Sequence, residues 1–197
     1  TVVIIGDSHA EHLFPGLAAA LPGQNVAYYI NGDAIDSQPT ARVIRHVAAE
    51  PSVKYVVLTS LWNGRGVDPG TLRAALELLT QRGKQVVLTN DVPQFAFDPY
   101  RCKYKIAPLL DSQCTEAVAD LISQRDAVDT ELGKALRGLT EVTLVDTFSP
   151  FCSATMCSMT RGDKVLYRDD NHLNVDGSAF VAADILDNSP LGRAAGR

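Results

Sequence analysis

Ser8, His172 and Asp169 are the residues of this chain whose types can do chemistry together: a hydroxyl, a base, and a carboxylate to orient the base. Ser8 stands in Gly6-Asp7-Ser8-His9, directly after the apolar run Thr1-Val2-Val3-Ile4-Ile5, so it falls where a buried strand gives way to a helix. There its own N–H and the positive end of the helix dipole point at the space above the hydroxyl, where an oxyanion develops during acyl transfer. The base comes from the other dense polar cluster, Tyr167-Arg168-Asp169-Asp170-Asn171-His172-Leu173-Asn174. Asp169 and Asp170 compete for the orienting role, and the i, i+3 spacing selects Asp169, which can fold back to the ring nitrogen turned away from Ser8. Ser or Asp before a helix also serves as a plain N-cap, and a lone D-x-x-H is no more specific. The combination of both motifs at opposite ends of an alternating chain is what points to a nucleophile, a base and an orienting acid.

Positioning them is the task of the scaffold. Apolar runs over 2–5, 25–30, 53–60, 85–89 and 142–146 read as five strands, and helical patterns begin near His9, Thr40, Pro69 and Ser112, with a last helix over about 175–186. Asp68-Pro69 marks one start, as N-cap and first helical residue. Strands alternating with helices predict a parallel sheet covered on both faces, a three-layer α/β/α sandwich. In such sheets the ligand crevice lies outside the carboxyl ends of the strands. Ser8 belongs at that edge, and His172 reaches it if the loop over 147–168 folds back. Irregular insertions over 91–110 and 147–164 are long enough to shape a site.

Through Gly6-Asp7-Ser8 and Asp169-x-x-His172, the chain resembles the SGNH/GDSL hydrolase superfamily along nearly its whole length. It is most similar to the extracytoplasmic SGNH domains of bacterial membrane acyltransferase-3 proteins, matched by Gly6-Asp7-Ser8-His9 and Tyr167-x-Asp169-x-x-His172-Leu173. The resemblance implies a flavodoxin-like five-stranded sheet and O-acylation, usually acetylation, of a cell-envelope glycan through an acyl-serine. It implies an acyl donor and a glycan acceptor as substrates, and a membrane acyltransferase domain upstream. It further implies oxyanion donors besides the Ser8 N–H: a glycine after the second strand, positionally Gly32, and an asparagine after the third, positionally Asn63. Leu61-Trp62-Asn63-Gly64 lacks the glycine and the aspartate of the usual G-x-N-D, so Asn90 in Asn90-Asp91 stays open as the alternative. Trp62, the only tryptophan, is read as an aromatic wall for sugar or acyl donor or else as a packing residue. His9 is read as lining the pocket and His12 as structural, neither with a carboxylate at the spacing that marks His172.

Composition bounds the rest. A length of 197 residues with 46% hydrophobic and 21% charged content fits one domain over 1–190, with 191–197 as a flexible tail. Net charge of −5 without a Lys/Arg run argues against nucleic acid. No run nears the roughly 20 apolar residues of a membrane helix. The chain opens without Met in strand-like sequence, which is read as excision from a longer protein or removal of an export sequence; the resemblance implies an extracytoplasmic domain tethered to the membrane through the upstream region. Cys102 and Cys114, then Cys152 and Cys157, form two local pairs with eleven and four residues between, which fits no paired C-x-x-C zinc site. Disulfides in an oxidising compartment are the reading, with free thiols of a cytosolic enzyme as the alternative. No metal, nucleotide or flavin motif is present, so no cofactor is expected. A stand-alone carbohydrate acetylesterase and a non-catalytic glycan-binding module remain the competing functions.

Overall fold

A computed structural model describes residues 1–31, 37–103 and 114–196. In chain order its first elements are β1 (Val2–Gly6), α1 (Ser8–Ala20), β2 (Val26–Ile30), α2 (Gln38–Ala49), β3 (Tyr55–Leu58), α3 (Trp62–Arg65), α4 (Pro69–Gln81) and β4 (Gln85–Thr89). There follow α5 (Tyr100–Lys103), β5 (Thr115–Ala117), α6 (Val118–Leu136), β6 (Val142–Val145), β7 (Met156–Ser158), β8 (Thr160–Arg161), β9 (Lys164–Val165), α7 (Val175–Asp187) and α8 (Leu191–Ala194). Five strands make one parallel sheet in the order β2-β1-β3-β4-β6. The order reverses beside β1, so the crevice at the carboxyl edge opens where Ser8 follows Gly6.

Alternation along β1 explains the three layers. Val2 and Ile4 turn to one face and pack with Leu13 and Leu17 of α1 and Val181 and Ile185 of α7. Val3 and Ile5 turn to the other, against Ile44 of α2, Leu72, Leu76 and Leu79 of α4 and Leu132 of α6. All four β1 side chains are 2% exposed or less. Gly6 is required by close approach: a Cβ there would lie 1.8 Å from the Thr59 carbonyl oxygen, so no larger residue fits without moving β3.

The helices α1 and α7 bring the ends of the chain together. Pro15 inside α1 has no N–H to give, and the next N–H, that of Gly16, is donated to Ser178 Oγ of α7 at 2.8 Å. A Cβ on Gly16 would sit 2.1 Å from the Ser178 carbonyl oxygen, so glycine sets how near the helices lie. Ser8, His12 and Gly16 form one stripe of α1 at i, i+4, i+8 spacing, and each is hydrogen-bonded to the 172–178 segment.

Both insertions carry structure that period-based reading does not reveal. β5 and β7 pair antiparallel, β8 and β9 form a hairpin, and Cys102–Cys114 and Cys152–Cys157 are disulfide-bonded. Tyr167, fully buried, donates its hydroxyl to the Pro93 carbonyl and stacks edge-on against Phe95 and Phe151, while Phe95 N–H donates to the Asp170 carbonyl. These bonds seat the 167–172 segment on the loop after β4. The helix start expected near Ser112 lies outside the described residues, and the helix itself runs from Val118. The flexible tail is corrected: Leu191 is 0% exposed and opens α8, which packs on α7 because its apolar side chain has core to fill.

Candidate active site

At the carboxyl edge of the sheet, Ser8 Oγ lies 2.7 Å from His172 Nε2. His172 Nδ1 lies 2.9 Å and 3.0 Å from the two oxygens of Asp169, which also accepts the backbone N–H groups of His172 (2.6 Å) and Asn171 (3.1 Å). The carboxylate thus fixes both the ring and the turn that carries it. With Nδ1–H directed at Asp169, Nε2 is the lone-pair nitrogen facing the hydroxyl. Burial raises the Asp169 carboxyl, but hydrogen bonds from the two backbone N–H groups and the adjoining His172 outweigh it, and the carboxyl sits below the ordinary range. Asp170 is exposed and contributes only its carbonyl to Phe95.

The nucleophile's turn is held from beneath. Asp7, 1% exposed, caps α1 through the His9 N–H (2.8 Å) and accepts Ser60 Oγ–H (2.8 Å), Leu61 N–H (2.9 Å) and Arg65 Nε–H (3.0 Å). Burial raises its carboxyl; the Leu61 and His9 N–H groups, the His9 ring and the Ser60 hydroxyl bring it down to a net depression. Because α1 begins at Ser8, the Ser8 N–H has no intrahelical acceptor and is available above the hydroxyl.

His12 is 4% exposed, and burial first, then the neighbouring His9 and His172, hold its ring well below the usual histidine range. It is neutral at pH 7 and its Nδ1 accepts the Leu173 N–H at 3.3 Å. This ties α1 to the residue after His172.

The further expected site residues divide. Asn63 is exposed in α3, just beyond β3, with its N–H bonded to Asp91 at 2.8 Å. Asn90 is 4% exposed and spent: its amide donates to Asp129 and Asp146 (3.1 Å each) and accepts from Thr147 N–H (2.7 Å) and Oγ–H (3.1 Å). Gly32 lies outside the described residues. Trp62 is corrected from wall to core: it is 1% exposed and its Nε1 donates to the Thr89 carbonyl, since the turn after β3 directs the indole under the strand ends. His9, also 1% exposed, packs against the rings of His12 (4.6 Å) and His172 (5.2 Å) instead of lining an open pocket. It does have a carboxylate neighbour, Asp91, at 3.4 Å, from a segment far along the chain. Ser60 and Arg65 were not read as site residues, and Asp91 was noted only beside Asn90; their signal is no more than polar residues at or beyond strand ends.

Among the described residues, five carboxylates are depressed by hydrogen bonds: Asp7, Asp146 and Asp169 against their burial, and the more open Glu50 and Asp68. A depressed carboxylate adds stability above its unfolded pKa of about 3.9, and that stability is lost as pH falls through the folded value. Asp184, raised by burial and by Asp146 and Asp187, works oppositely and offsets part of the loss. His12, held below the histidine range when folded, protonates first in the unfolded chain and so costs stability as pH falls below about 6.5. The urea midpoint is therefore expected to decline already below about pH 6.5 and again below about pH 4; a midpoint that rises on acidification contradicts these networks.

Fold and site define a class: a doubly wound parallel α/β domain with serine, histidine and aspartate side chains hydrogen-bonded in series at the carboxyl edge of its sheet. The model of the SGNH domain fused to AT3 domains matches residues 1–187, and the chain belongs to that family. Among solved structures, the periplasmic domain of a lipopolysaccharide acetyltransferase from Salmonella ser. Paratyphi A superposes with a TM-score of 0.73 at 19% identity, covering 94% of this chain and 82% of that one. The C-terminal catalytic domain of Streptococcus pneumoniae peptidoglycan O-acetyltransferase A, solved with a methylsulfonyl adduct, gives 0.52 at 14% identity, covering 98% and 93%. TesA gives 0.56 at 16% identity, covering 95% and 96%. No curated protein sequence matches.

Proposed function

We propose that this chain is a serine-dependent O-acyltransferase domain that acylates, most naturally acetylates, a cell-envelope glycan. The observation that carries the reading is the 2.7 Å contact between Ser8 Oγ and a His172 whose other nitrogen is held by Asp169. His172 Nε2 takes the Ser8 proton as Oγ attacks the carbonyl of an acyl donor; the Ser8 N–H and the Asn63 amide receive the oxyanion. Collapse expels the donor's alcohol, which leaves with the proton from His172, and acyl-Ser8 remains. A glycan hydroxyl, deprotonated by the same nitrogen, then attacks and restores free Ser8.

Family membership supports a membrane acyltransferase domain as the partner that delivers the acyl group, and two similar structures come from a lipopolysaccharide acetyltransferase and a peptidoglycan O-acetyltransferase. Two disulfides support an oxidising, extracytoplasmic compartment, periplasmic or at the cell surface, with tethering through that domain. No helix among the described residues is long and apolar enough to cross a membrane.

Water in place of the glycan hydroxyl would make the same site an esterase. The test supplies an aryl acetate donor with envelope oligosaccharides and follows glycan mass. Acetylated glycan above a Ser8→Ala control is expected; free acetate alone with every glycan offered would make the domain a hydrolase.

A further inference from the structure

The turn that carries Asn63 is pinned at nearly every residue, by partners from separate elements. Asp7 accepts Ser60 Oγ–H, Leu61 N–H and Arg65 Nε–H; Trp62 donates to the Thr89 carbonyl; Asn63 N–H goes to Asp91 Oδ2 at 2.8 Å. Asn63 itself is exposed, so an outward side chain is mounted on an immobilised backbone. The bond from Asn63 is the one that fixes this residue itself, and its acceptor is a carboxylate only 7% exposed. Burying a carboxylate is costly unless specific partners hold it. The other oxygen of Asp91 makes no hydrogen bond and stands 3.4 Å from Nδ1 of His9, the residue after Ser8. One carboxylate therefore lies between the nucleophile's neighbour and the backbone of Asn63.

We propose that Asp91 is a positioning residue for the reaction at Ser8, acting through Asn63: by accepting the Asn63 N–H it sets that amide's place relative to the nucleophile. This rests on the reading of Ser8 as nucleophile and Asn63 as oxyanion donor.

The test is a double-substitution cycle on aryl acetate hydrolysis by the 197-residue chain. Asn63→Ala is expected to lower kcat about 10²-fold. Asp91→Ala is expected to lower kcat about 10-fold or more with KM nearly unchanged, and the double variant to match Asn63→Ala within about threefold. Asp91→Asn, whose amide oxygen can still accept the Asn63 N–H, should stay within about threefold of the parent. Should Asp91→Ala not fold, Asp91→Glu serves, since it keeps the charge and displaces the acceptor; its kcat loss must vanish in the Asn63→Ala background. Losses that multiply would overturn the proposal, as would full activity of Asn63→Ala. Fluorophosphonate labelling of the parent separates these outcomes from failure of the Ser8 reading, because in that case nothing labels.

Discussion

Turnover of an aryl acetate falls about 10³-fold or more on Ser8→Ala, while the melting temperature stays within a few degrees of the parent. The size of the kinetic loss follows from the step removed: without Oγ there is no acyl-enzyme, and only binding and the oxyanion donors remain to act on water. The small structural cost follows from the contacts. The Ser8 side chain is bonded to His172 Nε2 and is partly exposed, whereas the turn it sits on is held by Asp7. Loss of one such hydrogen bond costs about 1 kcal/mol. Steady-state kinetics beside a thermal melt checks both halves; unchanged turnover, or a variant that fails to fold, contradicts the assignment.

Asp169→Asn is expected to lower kcat by about 10³- to 10⁴-fold. An asparagine can keep its oxygen toward the His172 and Asn171 N–H groups, which preserves the turn, but it then turns an N–H toward His172 Nδ1. The ring must move its proton to Nε2, where it faces Ser8 and cannot accept. Asp170→Asn is the internal control: that side chain is exposed and the bond to Phe95 uses the backbone, so kcat stays within about threefold. An inactive Asp170→Asn beside an active Asp169→Asn would mean the other carboxylate orients the base.

Much of the architecture was legible because it is periodic or local. The five sheet strands show as apolar runs, whereas the flavodoxin-like order of the sheet came from the resemblance and not from periodicity. Ser8 and the Asp169-His172 pair stand out because each belongs to a short motif whose spacing has a mechanical meaning. β7, β8 and β9 did not show, since strands of two or three residues in or at the edge of an insertion have no period to read, and β5 falls where a helical pattern was read from near Ser112. The tail was misread because Gly and Arg dominate its composition, whereas one buried leucine decides its fate.

Around the site, what could not be read were long-range polar contacts. Asp7 meets Arg65, Asn63 meets Asp91, and His9 meets Asp91 only because β1, β3 and β4 are neighbours. Trp62 and His9 show why edge position alone misleads. Both fall at the carboxyl edge of the sheet, but the turn after β3 sends the indole inward, and the first turn of α1 packs the imidazole against two other histidines.

The most direct measurement of the central claim is peptide mapping by mass spectrometry after reaction with a fluorophosphonate. One adduct, on Ser8, is expected, with labelling slowed by orders of magnitude in His172→Ala because the hydroxyl then has no base at 2.7 Å. An unlabelled chain, or an adduct on a different serine at the parent's rate, would contradict it.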